Sequence, residues 1–314
     1  MPTKIEWTQD TWNPVTGCTP ISDGCAHCYA RAMARRLAGR YGYPEGNGFA
    51  VTCHDDRLAE PLRWRKPRRV FVCSMGDLFH EDVPDAFIDR VFAVMAMRPQ
   101  HTFQVLTKRA ERMEEWLSAC EFEMPQALRA ALAFRSCVSG EHKWPLPNVW
   151  GGVTVEHPDY LDRVEWLMRA PFAVRFISAE PLLGPLDVSQ WLAEDPSRVC
   201  RRKCHPTVPC RGPCKEYLEA SSRNLRPHLD WVIVGGESGP GARPMHPDWA
   251  RGVRDQCVSA GVPFFFKQWG AWGPEFEDWS AEVDAQTPMV RVGKKAAGRV
   301  LDGRTWDQYP EVPK

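Results

Sequence analysis

The stretch Val70-Phe-Val-Cys-Ser-Met-Gly-Asp77 is a short apolar run that stops at a glycine and a carboxylate. The same arrangement recurs in Trp231-Val-Ile-Val-Gly-Gly-Glu-Ser238, where an apolar run meets two glycines and a glutamate. Short apolar runs between turn residues are typical of strands that are buried on both faces of a parallel sheet. Four further runs have this form: Thr102–Leu106, Val149–Val155, Val174–Ser178 and Pro263–Phe266.

Stretches with a helical spacing of apolar residues lie between these runs. The clearest are Asp85–Met97, Tyr160–Met168 and Pro247–Ala260. Alternation of strands and helices predicts a parallel sheet with right-handed crossovers. A further strand near Trp12–Thr16 would give the sheet a size that favours an α/β fold built as a full or partial (β/α) TIM-like barrel. An open doubly wound sheet is the alternative.

Ionisable side chains follow the predicted strands at the point where each strand ends. In a (β/α) barrel the carboxyl ends of the strands meet at one edge, and the chemistry is located there. A barrel would therefore gather these side chains around one mouth, although polar residues are also ordinary at the start of any loop. The residues concerned are Asp77, Lys108, Glu156, Glu180, Glu237 and Lys267.

The strand pattern also suggests how the chain is divided. We assign residues 1–186 and 229–272 to the barrel, because the predicted strands and helices lie there. Residues 187–228 contain four cysteines and no strand pattern, so we expect a small cysteine-rich insert. Residues 273–314 form a C-terminal tail whose sequence does not specify a fold.

The composition is that of an ordinary globular protein. Of the 314 residues, 43% are hydrophobic and 25% are charged, and 40 basic residues balance 40 acidic ones. Because the formal net charge is zero, a nucleic-acid partner would need a local basic patch. No apolar run approaches the ~20 residues of a membrane span, and the N-terminus lacks a signal-peptide core. We expect a cytoplasmic protein that does not contact a membrane.

Seven of the twelve cysteines fall into two groups. In a reducing compartment this grouping indicates metal binding rather than disulfides. The first group, Cys18, Cys25 and Cys28, lies in the segment GCTPISDGCAHCYAR of residues 17–31. Three thiolates would leave one iron of a [4Fe–4S] cluster without a protein ligand, so that this iron is free to bind a substrate or cofactor. A zinc site, with or without His27, and a purely structural role are the alternatives.

This loop resembles the cysteine loop of the radical S-adenosylmethionine (AdoMet) superfamily, which follows the first strand of a (β/α) barrel. The spacing Cys25-x-x-Cys28, with the ring residue His27 before the last cysteine, carries the resemblance. Six residues separate Cys18 from Cys25, where three are usual in the superfamily.

Four short blocks resemble a more specific group, the phage- and mobile-element-associated family of three-cysteine, radical-AdoMet-like proteins. The blocks are Trp12-Asn-Pro14, Glu180-Pro-Leu-Leu-Gly-Pro185, Gly235-Gly-Glu-Ser-Gly-Pro-Gly-Ala-Arg-Pro244 and Phe264-Phe-Phe-Lys-Gln-Trp-Gly270. This resemblance covers nearly the whole chain apart from residues 187–228.

The resemblance implies a [4Fe–4S] cluster on Cys18, Cys25 and Cys28, AdoMet bound at the open iron, and a 5′-deoxyadenosyl radical that removes a hydrogen atom from the substrate. It also implies an electron donor such as a flavodoxin or ferredoxin. By its order along the chain, Met75-Gly76-Asp77 takes the place of the segment that receives the AdoMet amino group. The other cofactor-binding candidates are Gly235, Gly236 and Glu237 for ribose or substrate, Glu156 and Glu180 for hydroxyl groups, and Lys108 and Lys267 for a carboxylate or phosphate.

The second cysteine group comprises Cys200, Cys204, Cys210 and Cys214 in a short basic segment. Such a segment has too few apolar residues to order itself, and four thiolates on a metal would supply that order. Zinc is the first candidate and an auxiliary iron–sulphur cluster is the second; an insert without metal is the third. The basic residues here, and the run Arg57–Arg69 around Trp64, are candidate contacts for nucleic acid or solubilising charges.

Three functional hypotheses follow. The first is a radical AdoMet enzyme that modifies or repairs nucleic acid or a nucleobase-derived molecule. The second keeps the radical chemistry but places it on a peptide or small metabolite. The third is a non-catalytic, zinc-ordered protein that binds nucleic acid. The first hypothesis rests on the cysteine loop and the strand-end residues for its chemistry, and on local basic patches for its substrate.

Overall fold

The computed structural model describes residues 3–139, 144–192, 228–274 and 289–311. The second cysteine group, Cys200, Cys204, Cys210 and Cys214, lies outside the described residues, as does most of the segment assigned to the insert. The metal predicted at that group therefore stays a prediction.

The described residues form an alternating series of strands and helices. The strands are β1 (Asp10–Trp12), β2 (Val15–Thr16), β3 (Thr52–Cys53), β4 (Arg69–Val72), β5 (Thr102–Thr107), β6 (Val149–Thr154), β7 (Val174–Ala179), β8 (Trp231–Gly235), β9 (Phe264–Gln268), β10 (Trp272–Pro274) and β11 (Met289–Arg291). The α-helices are α1 (Tyr29–Leu37), α2 (Asp55–Leu58), α3 (Asp85–Ala96), α4 (Ala110–Phe122), α5 (Gln126–Ser139), α6 (Asp162–Arg169), α7 (Ser189–Leu192), α8 (Pro247–Ala260) and α9 (Lys294–Ala297).

Seven strands form one parallel sheet in the order β1-β4-β5-β6-β7-β8-β9. The order follows the chain, as expected when each strand is joined to the next by a crossover on the same side. This arrangement confirms the predicted α/β class and the strands that the apolar runs indicate. The strand predicted near Trp12–Thr16 is split, because β1 joins the large sheet while β2 pairs with β3.

The sheet is curled into a half-barrel. Trp7, just before β1, lies with its ring centroid 4.7 Å from that of Phe71 in β4 and 6.2 Å from that of Trp231 in β8. Four strand spacings separate β4 from β8, which would be about 19 Å across a flat sheet. One tryptophan can contact both strands only if the sheet bends around it.

Side chains alternate between the two faces of the curled sheet. The concave face holds an aromatic cluster that includes Trp7, Phe71, Trp150, Phe176 and Trp231. On the convex face a larger core forms where helices pack over the sheet. Helix α8 shows how local sequence sets these helices, since it begins at Pro247 in a first-turn position and ends before Gly261, whose φ is +70°. No helix among the described residues combines the length and apolarity that crossing a membrane requires.

The C-terminal segment covers the lower end of the half-barrel, where the strands begin. The backbone N–H of Gln308 donates to Phe264 O, and the indole of Trp231 donates to Gln308 O over 2.8 Å. The ring of Tyr309 lies against Trp231 with 5.2 Å between ring centroids, and the guanidinium of Arg69 lies 4.0 Å from the Tyr309 centroid. This segment therefore packs on the end of the sheet opposite to the predicted site.

Candidate functional site

A cavity of about 410 Å³ lies at the carboxyl edge of the half-barrel. Its floor is apolar and includes Trp7, Phe71 and Leu106, and polar side chains surround it above. Most of the residues that the sequence predicts for a site line this one cavity: Cys18, Cys25, Cys28, Gly76, Asp77, Lys108, Glu180, Gly236, Glu237 and Lys267. Glu156 and Gly235 do not line it.

The cysteine loop is held at its base by two close backbone contacts. Gly17 has φ +85°, and a Cβ on it would lie 2.1 Å from Ala50 O. Its N–H donates to Met75 O over 2.9 Å, and a Cβ on Gly76 would lie 2.9 Å from Gly17 O. Glycine is therefore required at both positions, and the space beside Gly76 is filled by the backbone that leads into Cys18.

The loop after β4 is fixed to the end of β1 by Asn13. The side-chain Oδ1 of Asn13 accepts from Met75 N over 2.9 Å and from Ser74 Oγ over 3.1 Å. Cys73, which precedes these residues, has φ +60°, a left-handed conformation that is rare outside glycine. Cys73 is buried and also lines the cavity, so a fourth thiol borders the same space as the three of the cysteine loop.

Asp77 is committed to bonds within the protein. Its Oδ1 accepts from Thr107 Oγ1 over 2.7 Å and from Phe79 N over 3.0 Å. Its Oδ2 accepts from Lys108 N over 3.2 Å and from Arg109 Nη1 over 3.3 Å. With four donors around a buried carboxylate, Asp77 joins the ends of β4 and β5 and positions Arg109.

Glu156 is the centre of a buried ion-pair group. The side chain is fully buried and accepts from Arg163 Nη1 over 2.8 Å and from Ser22 Oγ over 2.6 Å. The Lys108 ammonium is in direct contact with Oε1 of this carboxylate, the same oxygen that accepts from Ser22. Glu156 therefore holds Lys108 beside the cysteine loop and ties that loop to β6 through Ser22, so its surroundings are those of a structural residue.

The two cysteines nearest to these cations have opposite pKa shifts. Burial and the charge of Asp77 raise the pKa of Cys18 to about 11, against the lowering effect of Arg109. Burial also disfavours the Cys25 thiolate, but the positive charge of Lys108 and hydrogen bonds around Ser22 outweigh it and lower the Cys25 pKa. A bound metal would make both sulphurs thiolates, because only the deprotonated form ligates.

Cys28 and His27 lie at the start of helix α1. Cys28 caps the helix and is half-buried, whereas His27 is exposed. A Cβ on Gly241 would lie 2.7 Å from the His27 ring, so this ring is close to the loop after β8. The ring therefore faces a different element from the one that carries the three thiols.

Glu180 and Lys267 meet on the opposite wall of the cavity. The Lys267 ammonium donates to both carboxylate oxygens of Glu180 over 2.8 and 2.9 Å, and Gln268 Nε2 donates to Oε1 over 3.2 Å. The Oε1 of Gln268 is buried and has no hydrogen-bond partner among the described residues. The Gln268 side chain lies in the cavity wall beside the Glu180 carboxylate.

Glu237 is held by an arginine six positions later. The backbone N–H, Nε and Nη2 of Arg243 donate to the Glu237 carboxylate over 2.8–2.9 Å, and Nη2 also donates to Asp23 O over 3.0 Å. Burial opposes the charge on Glu237, but the Arg243 hydrogen bonds lower its pKa. The pair therefore links the loop after β8 to the cysteine loop.

The glycines before Glu237 serve backbone packing. A Cβ on Gly236 would lie 1.9 Å from Trp269 O, and one on Gly235 would lie 3.1 Å from the Glu180 carboxyl carbon. Gly236 therefore permits the loops after β8 and β9 to touch, whereas Gly235 makes room for the Glu180 side chain.

Comparison with protein families gives one match. A family model described as a protein of unknown function, DUF5131, matches residues 2–310. The chain belongs to the DUF5131 family. No curated protein and no solved structure matches it. The chemistry of this DUF5131 site must therefore be inferred from its own residues.

Free thiols of the cysteine loop face the DUF5131 cavity. Cys18, Cys25 and Cys28 all line it, and none of them forms a disulfide. Among the described residues, no three His, Cys, Asp or Glu side chains are grouped closely enough to hold a single metal ion. The three cysteine ligands of a [4Fe–4S] cluster bind three different irons, so they border a shared space and do not need to converge on one point.

Sequence reasoning missed several residues of the DUF5131 site. Arg109 follows Lys108 directly and was passed over, although it contacts Cys18. Arg243 lies in the same glycine-rich block as Glu237. The short separation of these two residues along the chain could have indicated that they pair. Gln268 follows Lys267, but a neutral amide gives no charge pattern that would single it out.

Proposed function

We propose that this protein is a radical AdoMet iron–sulphur enzyme, built on a partial TIM-like barrel, that modifies or repairs nucleic acid or a nucleobase-derived molecule. One observation carries the chemical part of the proposal. The three thiols of the cysteine loop and the ionisable ends of several parallel strands share a single cavity. The curled parallel sheet supports the proposal because it places those ends at one edge.

Cys18, Cys25 and Cys28 would hold the cluster. Bound there, a reduced [4Fe–4S] cluster would supply the one electron needed for reductive cleavage of AdoMet at its S–C5′ bond, the source of the proposed radical chemistry. The remaining work belongs to the polypeptide, which must bind, orient and exclude water.

Two cations stand beside the thiols. Lys108 is the largest favourable influence on the Cys25 thiolate, and Arg109 Nη1 donates to the Cys18 sulphur over 3.3 Å. Three thiolates carry a concentrated negative charge in a partly buried place. Cations at that position stabilise the charge and bias the site towards reduction.

The opposite wall offers groups for AdoMet. Asp77 has no remaining capacity for an ammonium group, because four internal donors already bind its carboxylate. Gln268 and Glu180 both line the cavity, and Gln268 Oε1 has no hydrogen-bond partner among the described residues. We therefore assign the hydroxyl or amino groups of AdoMet to Gln268 and Glu180. The apolar floor would keep water away from the reacting atoms.

The test is anaerobic reconstitution with iron and sulphide, followed by EPR with and without AdoMet and by assay of 5′-deoxyadenosine. The proposal expects a reduced-cluster signal that shifts when AdoMet is added. Cys25→Ala should abolish the signal and the product. Cys73→Ala is the matched control, since Cys73 lines the same cavity but lies outside the loop; it should retain the signal and its response to AdoMet.

Other results would point elsewhere. Loss of the AdoMet response only in Cys25→Ala, with iron retained, would place the cluster on other residues. Loss of the cluster in Cys73→Ala would mean that four thiolates close the coordination sphere and leave no iron open. Stoichiometric zinc with no AdoMet cleavage would support the non-catalytic alternative.

A further inference from the structure

Helix α1, whose first residues line the cavity, and the turn after it carry several arginines. Arg35, Arg36 and Arg40 are exposed, and Arg31 lines the cavity. Residues 24–44 contain no aspartate or glutamate. None of the four guanidiniums has a carboxylate partner among the described residues. On a chain with no net charge, this is a local concentration of positive charge.

The orientation of α1 directs these arginines outward. Ala30 and Ala34 are 5% and 0% exposed and pack against a small cluster that includes Phe49. With a helical period of 3.6 residues, Arg35 and Arg36 project away from the face that carries these two alanines. Met33, which shares that outer face, is 47% exposed. Arg35, Arg36 and Arg40 are therefore not used to hold the helix in place, whereas Arg31 lies over the Phe49 ring, 5.8 Å from its centroid.

Tyr41 has an exposed ring on a constrained backbone. Its φ is +51°, between Gly39 and Gly42, which also have positive φ. A left-handed tyrosine costs stability and is usually offset by packing, but the Tyr41 side chain is 78% exposed. Tyr29, 51% exposed, lies nearer to the cavity and lines it. Two tyrosine rings thus accompany the arginines from the turn to the cavity.

We propose that this surface binds a single-stranded nucleic acid and leads it towards the cavity. Arginine guanidiniums match phosphate oxygens, and exposed aromatic rings stack on unpaired bases. A duplex keeps its bases stacked inside, so the rings would find no partner there. An acidic protein would pair with the arginines but would offer no bases for the tyrosine rings to stack on. The inference deepens the proposed function by naming its substrate class and rests on it for the chemistry.

The basic run Arg57–Arg69 does not offer an equivalent surface. It leads into the start of β4, at the end of the sheet opposite to the cavity. Arg68 pairs with Asp10 over 3.2 Å and covers the half-buried Trp64 ring. The exposed cations that remain, Arg63, Arg65 and Lys66, provide a control with the same charge.

The first measurement is fluorescence anisotropy of the reconstituted protein with labelled single-stranded oligothymidylate of about 20 nucleotides, titrated over a range of salt. Arg35→Gln, Arg36→Gln and Arg40→Gln are combined in one variant. Each lost phosphate contact makes the salt slope shallower by about 0.7, so we expect a total change of about 2 and an affinity loss on the order of 100-fold near 0.1 M salt. The variant Arg63→Gln, Arg65→Gln, Lys66→Gln should bind like the wild type.

Tyr41→Gly separates binding from folding. Glycine relieves the left-handed strain, so the thermal midpoint should stay the same or rise. The same change removes the ring and should weaken oligothymidylate binding on the order of tenfold. A merely structural role for Tyr41 predicts the opposite pattern, with lower stability and unchanged affinity.

Several outcomes would overturn the inference. Equal loss in both triple variants would show non-specific charge attraction. Tighter binding of a duplex of the same length would remove the single-strand assignment. The protein could instead fail to bind oligothymidylate and bind an acidic flavodoxin in a salt-sensitive way that requires the α1 arginines. The surface would then be the docking site of an electron-donor protein. Oligothymidylate binding without AdoMet cleavage would support the nucleic-acid surface and reject the radical chemistry. The two proposals can therefore fail separately.

Discussion

The guanidinium of Arg109 donates a hydrogen bond of 3.3 Å to the sulphur of Cys18. The arginine is held in this position independently of the cysteine, because its Nε donates to Glu81 over 2.8 Å and its Nη1 donates to Asp77 over 3.3 Å. The side chain is only 8% exposed, so solvent screens its charge weakly. A fixed cation thus stands at one of the sulphurs that would bind the cluster.

Replacing Arg109 should make the reconstituted cluster harder to reduce. Reduction adds negative charge, which a nearby cation stabilises, so Arg109→Gln should lower the reduction potential. A hydrogen bond to a charged group is worth about 1.5–3 kcal/mol, which corresponds to a shift of about 60–130 mV for one electron. A redox titration followed by EPR measures it. Arg90→Gln, on the distant helix α3, removes the same charge and should leave the potential unchanged; an unchanged potential in Arg109→Gln would contradict the assigned role.

Removal of the Glu156 charge should destabilise the fold. Glu156 is fully buried between Lys108 and Arg163, so Glu156→Gln leaves two cations without their shared carboxylate. Breaking a buried ion pair in this way typically costs about 3–5 kcal/mol of unfolding free energy. Urea denaturation should show a lower midpoint with an unchanged slope. The exposed Glu115→Gln on α4 should change stability by less than about 0.5 kcal/mol.

A second variant checks the cause of that loss. If uncompensated positive charge is responsible, adding Lys108→Met to Glu156→Gln should recover part of the stability. A double variant that is as unstable as the sum of the two single variants would instead indicate general loss of packing.

The strands and the strand-end residues were predictable because their signals are local. Apolar runs such as Trp231–Val234 end abruptly, and a parallel sheet brings the following residues to one edge without further information. The partners of those residues were not predictable in the same way. Glu180 and Lys267 are 87 positions apart and meet only because β7 and β9 flank β8.

The side-chain packing inside the half-barrel could not be predicted from the sequence either. Trp7 precedes β1 and belongs to no apolar run, yet it packs against Phe71 and Trp231. Tyr309 comes from the C-terminal tail and packs on the same cluster at the end of the sheet where the strands begin. Isolated aromatic residues outside a periodic pattern carry no signal of where they will pack, since that is decided by the curvature of the whole sheet.

Two glycine substitutions should have opposite effects on stability. A Cβ on Gly236 would lie 1.9 Å from the carbonyl of Trp269, so Gly236→Ala must displace backbone and should cost at least about 1–3 kcal/mol. Gly252 lies inside helix α8 with no atom within 4 Å of an added Cβ, so Gly252→Ala should stabilise by about 0.5–1 kcal/mol. Urea denaturation compares them. If both variants change the unfolding free energy in the same direction and by similar amounts, helix and turn propensities outweigh the close backbone approach at Gly236.

The link between Glu237 and Arg243 should make stability depend on acid pH. Arg243 lowers the pKa of Glu237 below its unfolded value, so the link stabilises the fold above that unfolded pKa and is lost as the pH falls through the folded one. The difference in unfolding free energy between wild type and Glu237→Gln should therefore be constant above about pH 5.5 and shrink towards pH 3. Urea denaturation at a series of pH values measures it.

Arg243→Gln provides the control for this dependence. Arg243 donates three hydrogen bonds to Glu237 and one to Asp23 O, so it is the group through which the loop after β8 holds the cysteine loop. In the Arg243→Gln background burial is the largest influence left on Glu237 and raises its pKa, so the pH dependence of the effect of adding Glu237→Gln should reverse in sign. The same pH dependence in the presence and absence of Arg243 would mean that another group lowers the Glu237 pKa. The link would then not be what fastens the cysteine loop to β8.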